Sequence, residues 1–298
     1  MSRFDAIDLS ALPPPDVIEN LDYEDILAEM KAAVVEAFPA IEPVLKLEGE
    51  PAAKVLQVCA YYVMLTRARV NDAGRAVMLA FATGADLDHL GALLGVERLV
   101  VEEGDPEAVP PVPDTLEGDD PFRSRIKLAV QGFSTAGPVG AYQFWGLSAD
   151  GAVKDIYVES PDPGDVVVTV LSHDGDGTAD TALRDKVAAM LTGEDVRPLT
   201  DHVTVQSATI IPYAVEATLH LFDGPDAEVV EVAAQAAVEA YVEDTHRLGR
   251  DVTISGLHAA LHQSGVARVE LTAPAETIAV EPDEAAHCTD ITIAVAGA

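Results

Sequence analysis

Apolar residues recur along this chain with two periods, and the change from one to the other is the first sign of its organisation. Over roughly the first hundred residues the spacing is helical throughout. Tyr23, Ile26, Leu27, Met30, Val34 and Phe38 return every three or four positions, which predicts a helix opening near Asp22 and ended by Pro39. Glu24 and Asp25 fall in its first turn, where negative charge suits the helix dipole. A much longer helix is predicted over residues 51–83, opened by Pro51 and free of internal proline. Val55, Val58, Tyr62, Leu65 and Thr66 mark one of its faces, and Val70, Val77 and Phe81 continue its apolar content. At 1.5 Å per residue it would run roughly 45 Å, longer than a small domain covers, so it needs partners along its length. A third helix is expected over 87–94, capped by Asp86 and stopped by Gly95.

The helical period stops at residues 102–121, EEGDPEAVPPVPDTLEGDDP, which reads as an acidic, proline-rich linker or exposed loop. Residues 120–148 then predict two short helices hinged at a Ser/Thr/Gly turn. Asp120 is placed as N-cap, Phe122, Ile126, Ala129 and Val130 form the apolar face of the first helix, and Tyr142, Phe144 and Trp145 lie on the second. From there the period alternates between two and 3.6. Strands are expected at 152–159, 165–171, 203–211, 213–222, 266–271 and 290–295, and helices at 179–191, 227–244 and 256–262, the last capped by Ser255. The run DVVVTVL at 165–171 is apolar on both faces, so both are expected to be covered. The order predicts an α+β chain: a helical N-terminal domain over 1–117 with the acidic linker at its end, then two small α/β sandwich domains over 118–210 and 211–298.

Charge narrows the function. With 51 acidic against 18 basic residues the net charge is −33, which repels nucleic acid and anionic membrane. The most apolar run, 55–66, is too short to span a bilayer, and the first residues, interrupted by Asp5, Asp8 and prolines, do not read as a secretory signal. Cys59 and Cys288 make no disulfide framework and no Cys-x-x-Cys pair, which fits a reducing compartment. Arg123, Arg125 and Lys127 concentrate cations in a chain that has few, and are expected to dock on an acidic surface of this chain or of a neighbour.

Catalytic and metal chemistry finds only partial patterns. In HDGDGTAD, 173–180, Asp174, Asp176 and Asp180 offer hard oxygen ligands of the kind calcium takes. However, Ala179 and Asp185 stand where an EF-hand needs Gly and Glu, and a strand-to-helix turn capped by Thr178 accounts for the loop. His258 and His262 have zinc-ligand spacing on a predicted helix, yet Ala259 replaces the catalytic Glu and no third ligand is evident. GLSADG, 146–151, departs from a nucleophile elbow at Asp150, and Ser148 reads instead as part of a helix C-terminal turn. No catalytic, cofactor or metal residue is assigned. The competing expectation is a cytosolic metal-dependent hydrolase built on the Asp174, Asp176, Asp180 loop or on the His258, His262 pair.

Longer strings carry more. LPPPDVIENLDYEDILAEM (12–30), RVNDAGRAVMLAFATGADLDHLGALLGVERLV (69–101), FRSRIKLAVQGFSTAGPVGAYQFWGLSADGAVKD (122–155) and EDVRPLTDHVTVQSATIIPYAVEATL (194–219) resemble the J-like baseplate assembly proteins of contractile-tailed phages and related tail-derived particles. HRLGRDVTISGLHAALHQSGVARVEL (246–271) extends the match, and the enlarged acidic segment around 102–119 is the evident departure. The resemblance implies a non-enzymatic structural subunit of the baseplate wedge in the virion tail, assembled in the host cytoplasm without a cofactor. It implies a sixfold ring around the central spike and hub, with a small lysozyme-like wedge protein, a third wedge component and further copies of itself as partners. N-terminal helices of that family contribute to an inter-subunit bundle, and its C-terminal domains make ring contacts.

Overall fold

The computed structural model describes residues 13, 15–222, 224 and 226–296. The extended lead-in expected over 10–15 lies outside them apart from Pro13 and Pro15. The chain is an α+β mix that divides into two compact units, Met1–Glu97 and Arg98–Ala298.

Among its described residues the first unit is helical. Helix α1 (Tyr23–Ala37) opens where Asp22 Oδ1 accepts the N–H groups of Glu24 at 2.7 Å and Asp25 at 3.1 Å. A 3-10 turn (Pro39–Ile41) and the single turn α2 (Glu42–Leu45) lead to α3 (Pro51–Ala76) and α4 (Gly84–Ala92). The long helix is shorter than its apolar pattern predicts. It ends at Ala76, about 39 Å from its start, because Asn71, Asp72 and Gly74 crowd poor helix formers into its last two turns. Asn71 is also diverted: its buried side-chain amide bonds Glu19 N at 3.0 Å and Glu19 O at 2.9 Å, tying the preceding segment to α3. Thr83, and not Asp86, is the N-cap of α4, and Gly95 turns the chain afterwards with φ +71°.

The second unit opens with the hairpin β1 (Val100–Glu102) and β2 (Thr115–Leu116), so the acidic proline-rich stretch contains paired structure and folds with this unit. Helix α5 (Asp119–Gly132) starts from Gly118, two residues earlier than an Asp120 cap would place it, and α6 (Val139–Leu147) follows the hinge. The middle sheet, β3 (Val153–Glu159), β4 (Asp165–Ser172) and β5 (His202–Ser207), has the order β3-β4-β5. Its first pair is antiparallel, and its second is parallel through the crossover helix α7 (Thr181–Leu191). Both faces of β4 are covered, as its composition predicts. Val166, Val168 and Val170 pack with Tyr142, Leu183, Val187 and Leu191, while Leu171 faces Ala208 and Ala285. The N-cap of α7 is Asp180, whose Oδ1 accepts Leu183 N at 2.7 Å, and not Thr178.

Residues 203–211 do not form one strand. The chain breaks at Ala208 and re-enters as β6 (Thr209–Leu221), which leaves the middle sheet for the C-terminal one. Pro212 lies inside β6 and not between two strands. Pairing with β7 (Val266–Ala273) begins only at Glu216, so Pro212 sits where β6 pairs on one side alone and a missing N–H is tolerated. The order β7-β6-β8, with β8 (Glu284–Ala296) parallel to β6, is covered by α8 (Ala227–Thr245) and by α9 (Ile254–Leu261), which is capped by Thr253 and not Ser255. Val215, Leu219, Ala234, Val238, Leu257 and Leu261 fill that core.

Leu219 is fully buried there, and Leu219→Ala is expected to lower stability by about 2–5 kcal/mol in denaturant unfolding. Val229→Ala on the exposed side of α8 should stay within about 0.5 kcal/mol of the parent. Equal effects would show that the core has been misplaced.

Candidate interaction surfaces

In the first unit, α1 and α3 share one apolar seam: Ile26, Leu27 and Ala60, with Tyr23, Met30, Leu56, Val63 and Met64 around them. The opposite side of α3 is apolar as well and, among the described residues, lies exposed. Val55 is 61% exposed, Val58 56%, Tyr62 64% and Leu65 43%. Their positions advance by three, four and three residues, the spacing at which a helix keeps one stripe against a partner helix. Thr66 is also on the exposed side and its hydroxyl bonds Tyr62 O at 2.8 Å. These are the residues that the apolar period singled out, and the structure leaves them uncovered.

The second unit is organised differently, by charge that has been taken inside. Glu117 and Arg125 are both buried, with Arg125 Nη2 2.5 Å from Glu117 Oε2 and Arg125 Nε 3.0 Å from Oε1. Arg98 completes the cluster, donating to Glu117 O at 2.7 Å and to Asp119 Oδ1 at 2.6 Å while stacking 4.7 Å from the Phe122 ring centroid. Of the acidic surfaces expected to meet the cations of α5, the chain's own is the one the structure shows. Arg125 is buried within its own chain, Arg123 pairs with Asp120 at 2.6 Å, and Lys127 is half-buried. Sequence reasoning missed Glu117 and Arg98, because their partners lie across a loop and no local spacing marks them.

A second polar cluster joins the middle and C-terminal sheets. Lys154 Nζ meets Glu243 at 2.6 Å, and Asp155 Oδ2 accepts Leu248 N at 3.1 Å. His246 is buried, its ring 5.3 Å from that of His287, and its Nδ1 donates to Ala286 O at 2.8 Å, which leaves Nε2 as the bare nitrogen. Gly177, at φ +98°, passes so close that a Cβ there would sit 2.8 Å from His246 Nε2. Burial above all holds the His246 imidazole below the usual histidine range. Its bond to Ala286 O and the Glu243 carboxylate pull the other way, while Lys154 and His287 add to the depression.

The residues weighed for catalysis are used structurally or kept apart. Asp180 caps α7, Asp176 Oδ1 accepts Thr178 N at 2.9 Å, and Asp174 is exposed. His258 lies in the last turn of α9 and His262 is its C-cap, with its N–H bonded to His258 O at 3.0 Å and the chain turning away after it at ψ 70°. Ser148 caps the C-terminus of α6, and its hydroxyl accepts from Arg125 Nη1 at 3.2 Å. Among the described residues no three His, Cys, Asp or Glu side chains gather as metal ligands, and no helix is long and apolar enough to cross a membrane.

Comparison with known proteins gives three domain matches in chain order: the Baseplate J-like N-terminal domain over 48–105, the Baseplate J-like central domain over 134–207 and the Baseplate J-like protein C-terminal domain over 213–294. Baseplate protein J of Escherichia phage P2 is 47% identical over 296 residues, 98% of either chain. A chain in the cryo-EM structure of the anti-feeding prophage (AFP) baseplate, 6-fold symmetrised, aligns at a TM-score of 0.40 and 15% identity, across 60% of this chain and 43% of that one.

Removing one partner of the buried pair strands the other. Glu117→Gln should cost about 3–5 kcal/mol in denaturant unfolding, and adding Arg125→Met should recover part of that loss. Additive losses would deny the coupling. His246 sets an acid limit: a depressed histidine adds stability that is complete above its unfolded value of about 6.5 and is lost as pH falls below it. The melting temperature of the parent should therefore drop more between about pH 7.5 and about pH 5.5 than that of His246→Asn, which keeps a donor for Ala286 O but does not titrate. Parallel slopes would show that His246 does not carry the effect.

Proposed function

The chain belongs to the Baseplate J-like family, and from that premise we propose that it works as a wedge subunit whose α3 stripe is a contact between subunits. It is a structural subunit of a phage-type tail baseplate and interacts with other baseplate components. The finer assignment is a place in a sixfold ring around the central spike and hub, beside a small lysozyme-like wedge protein, a third wedge component and further copies of the chain. Assembly takes place in the host cytoplasm, and the chain acts without catalysis, nucleic acid or membrane. A three-part organisation, helical, middle and C-terminal, supports a division of labour in which the helical part joins subunits and the two sheet modules build the ring.

The observation that carries this reading is the uncovered stripe. Val55, Val58, Tyr62 and Leu65 leave two turns and more of apolar helix in water, on the side of α3 away from α1. At ~25 cal/mol per Å² of apolar area, covering several such side chains contributes several kcal/mol, enough to drive association. The stripe is not held by the fold of its own unit, so changing it should spare folding. Val55→Glu with Tyr62→Glu is expected to keep the parent circular dichroism and melting behaviour while abolishing co-purification with the other wedge proteins. A double variant that unfolds, or one that still assembles, would remove the stripe from the function.

A further inference from the structure

The C-terminal sheet has two unlike edges. On one side, β7 is guarded by charge: Arg268 lies 3.5 Å from Glu270 and 2.7 Å from His220 Nε2. Guarding of this kind is the usual protection of an exposed strand against unwanted pairing. On the other side, β6 is the one named strand that β8 pairs with among the described residues. Its first residues are covered by the chain itself. Gly249 N bonds Glu284 O at 3.0 Å, Leu248 bridges Ala285 in antiparallel fashion, and His246 bonds Ala286 O. The chain thus begins a fourth strand beside β8 and then leaves. From 289 to 296, TDITIAVA, the edge carries no lysine and no proline, and its one charge, Asp290, is engaged by the Thr292 hydroxyl at 2.8 Å.

A groove runs along this part of the edge, between β8 and α8. Ile291 and Ile293 line it from the strand, Val232 and Ala236 from the helix, and Glu228, Glu231 and Glu239 stand along the helical wall with no basic residue among the lining. From Glu228 to Glu239 the wall runs about 16 Å, the length of about five extended residues.

We propose that the open edge of β8 takes an extended segment of a partner protein, alternately basic and apolar, as a fourth strand whose basic side chains meet the glutamate wall of α8. The edge backbone supplies the pairing, and every second side chain of the added strand, the basic ones, faces α8: their aliphatic stems lie in the groove on Ile291, Ile293 and Val232 while their charged ends reach the glutamates, and the apolar ones face the other side of the sheet. A second copy of this chain is the poorer occupant, because at a net charge of −33 it brings mostly carboxylates to a wall of glutamates. The stripe on α3 plays no part, so this inference and the proposed function fail separately.

The test uses the full chain and a synthetic peptide of about nine residues alternating Lys and Val, measured by fluorescence anisotropy and by amide exchange of residues 289–296. Saturable binding with slowed exchange is expected. A Glu/Val peptide should not bind, and neither should a Lys/Val peptide with every second amide N-methylated. Glu228→Lys with Glu231→Lys and Glu239→Lys should weaken binding by about tenfold or more while leaving circular dichroism unchanged. Absent binding overturns the proposal. Binding that survives N-methylation, or that leaves the exchange of 289–296 untouched, also overturns it, because it would report charge attraction alone. Self-association of the chain that is lost in Thr292→Lys would give the edge to a second copy instead.

Discussion

The second unit depends on a buried ion pair. Glu117 closes the acidic hairpin, Arg125 stands in the middle of α5, and each would be costly inside the protein without the other. Because the pair needs nearly all its hydrogen bonds to be worth burying, it fixes several elements at once. Arg98 and Leu99 hold Glu117 from the start of β1, Arg125 reaches Ser148 at the end of α6, and Phe122 lies beneath both guanidinium groups. The hinged helix pair is thereby set against the hairpin before the sheets begin. Hydrophobic packing of β4 against α7 could accept small shifts; a bidentate pair in a low dielectric accepts few.

The same logic recurs at the junction of the two sheets in weaker form. Lys154 with Glu243, Asp155 with Leu248 N and His246 with Ala286 O cross from one sheet module to the other, around a small apolar contact of Leu171, Ala208 and Ala285. A module boundary built from polar bonds around little apolar area is specific in geometry but open to pH, with the His246 imidazole and the Glu243 carboxylate, both held below their usual ranges, as groups that respond to acid. In a chain this acidic, three of the scarce cations, Arg98, Arg125 and Lys154, are placed in these joints, while others such as Lys46, Lys186 and Arg268 stay on the surface.

Much of the fold was legible because it rests on local periods. The stripe of α1, the double-sided burial of β4 and the exposed face of α3 all follow from apolar spacing. The errors have physical causes. Caps were displaced at α5, α7 and α9 because several Ser, Thr, Asp or Gly residues stand within two or three positions of each helix start, and long-range packing chooses among them. Pro212 was read as a break because its tolerance depends on where β7 begins to pair, which no local pattern carries. The burial of Arg125 was hidden because its partner Glu117 sits just before the helix, eight residues away, a spacing that no helical period marks. His258 and His262 stand at the end of α9, the second as its C-cap, and among the described residues no third ligand joins them. What identified the family was the long strings and not any site, and a subunit that works by contact has little else to show in its sequence.

In the proposed function, the exposed face of α3 is the surface that this Baseplate J-like chain presents to another subunit. A cryo-EM map of intact baseplates containing this chain tests it most directly. A helix of another subunit is expected packed along Val55, Val58, Tyr62 and Leu65 in the assembled particle. A map in which that face of α3 looks onto solvent would contradict it.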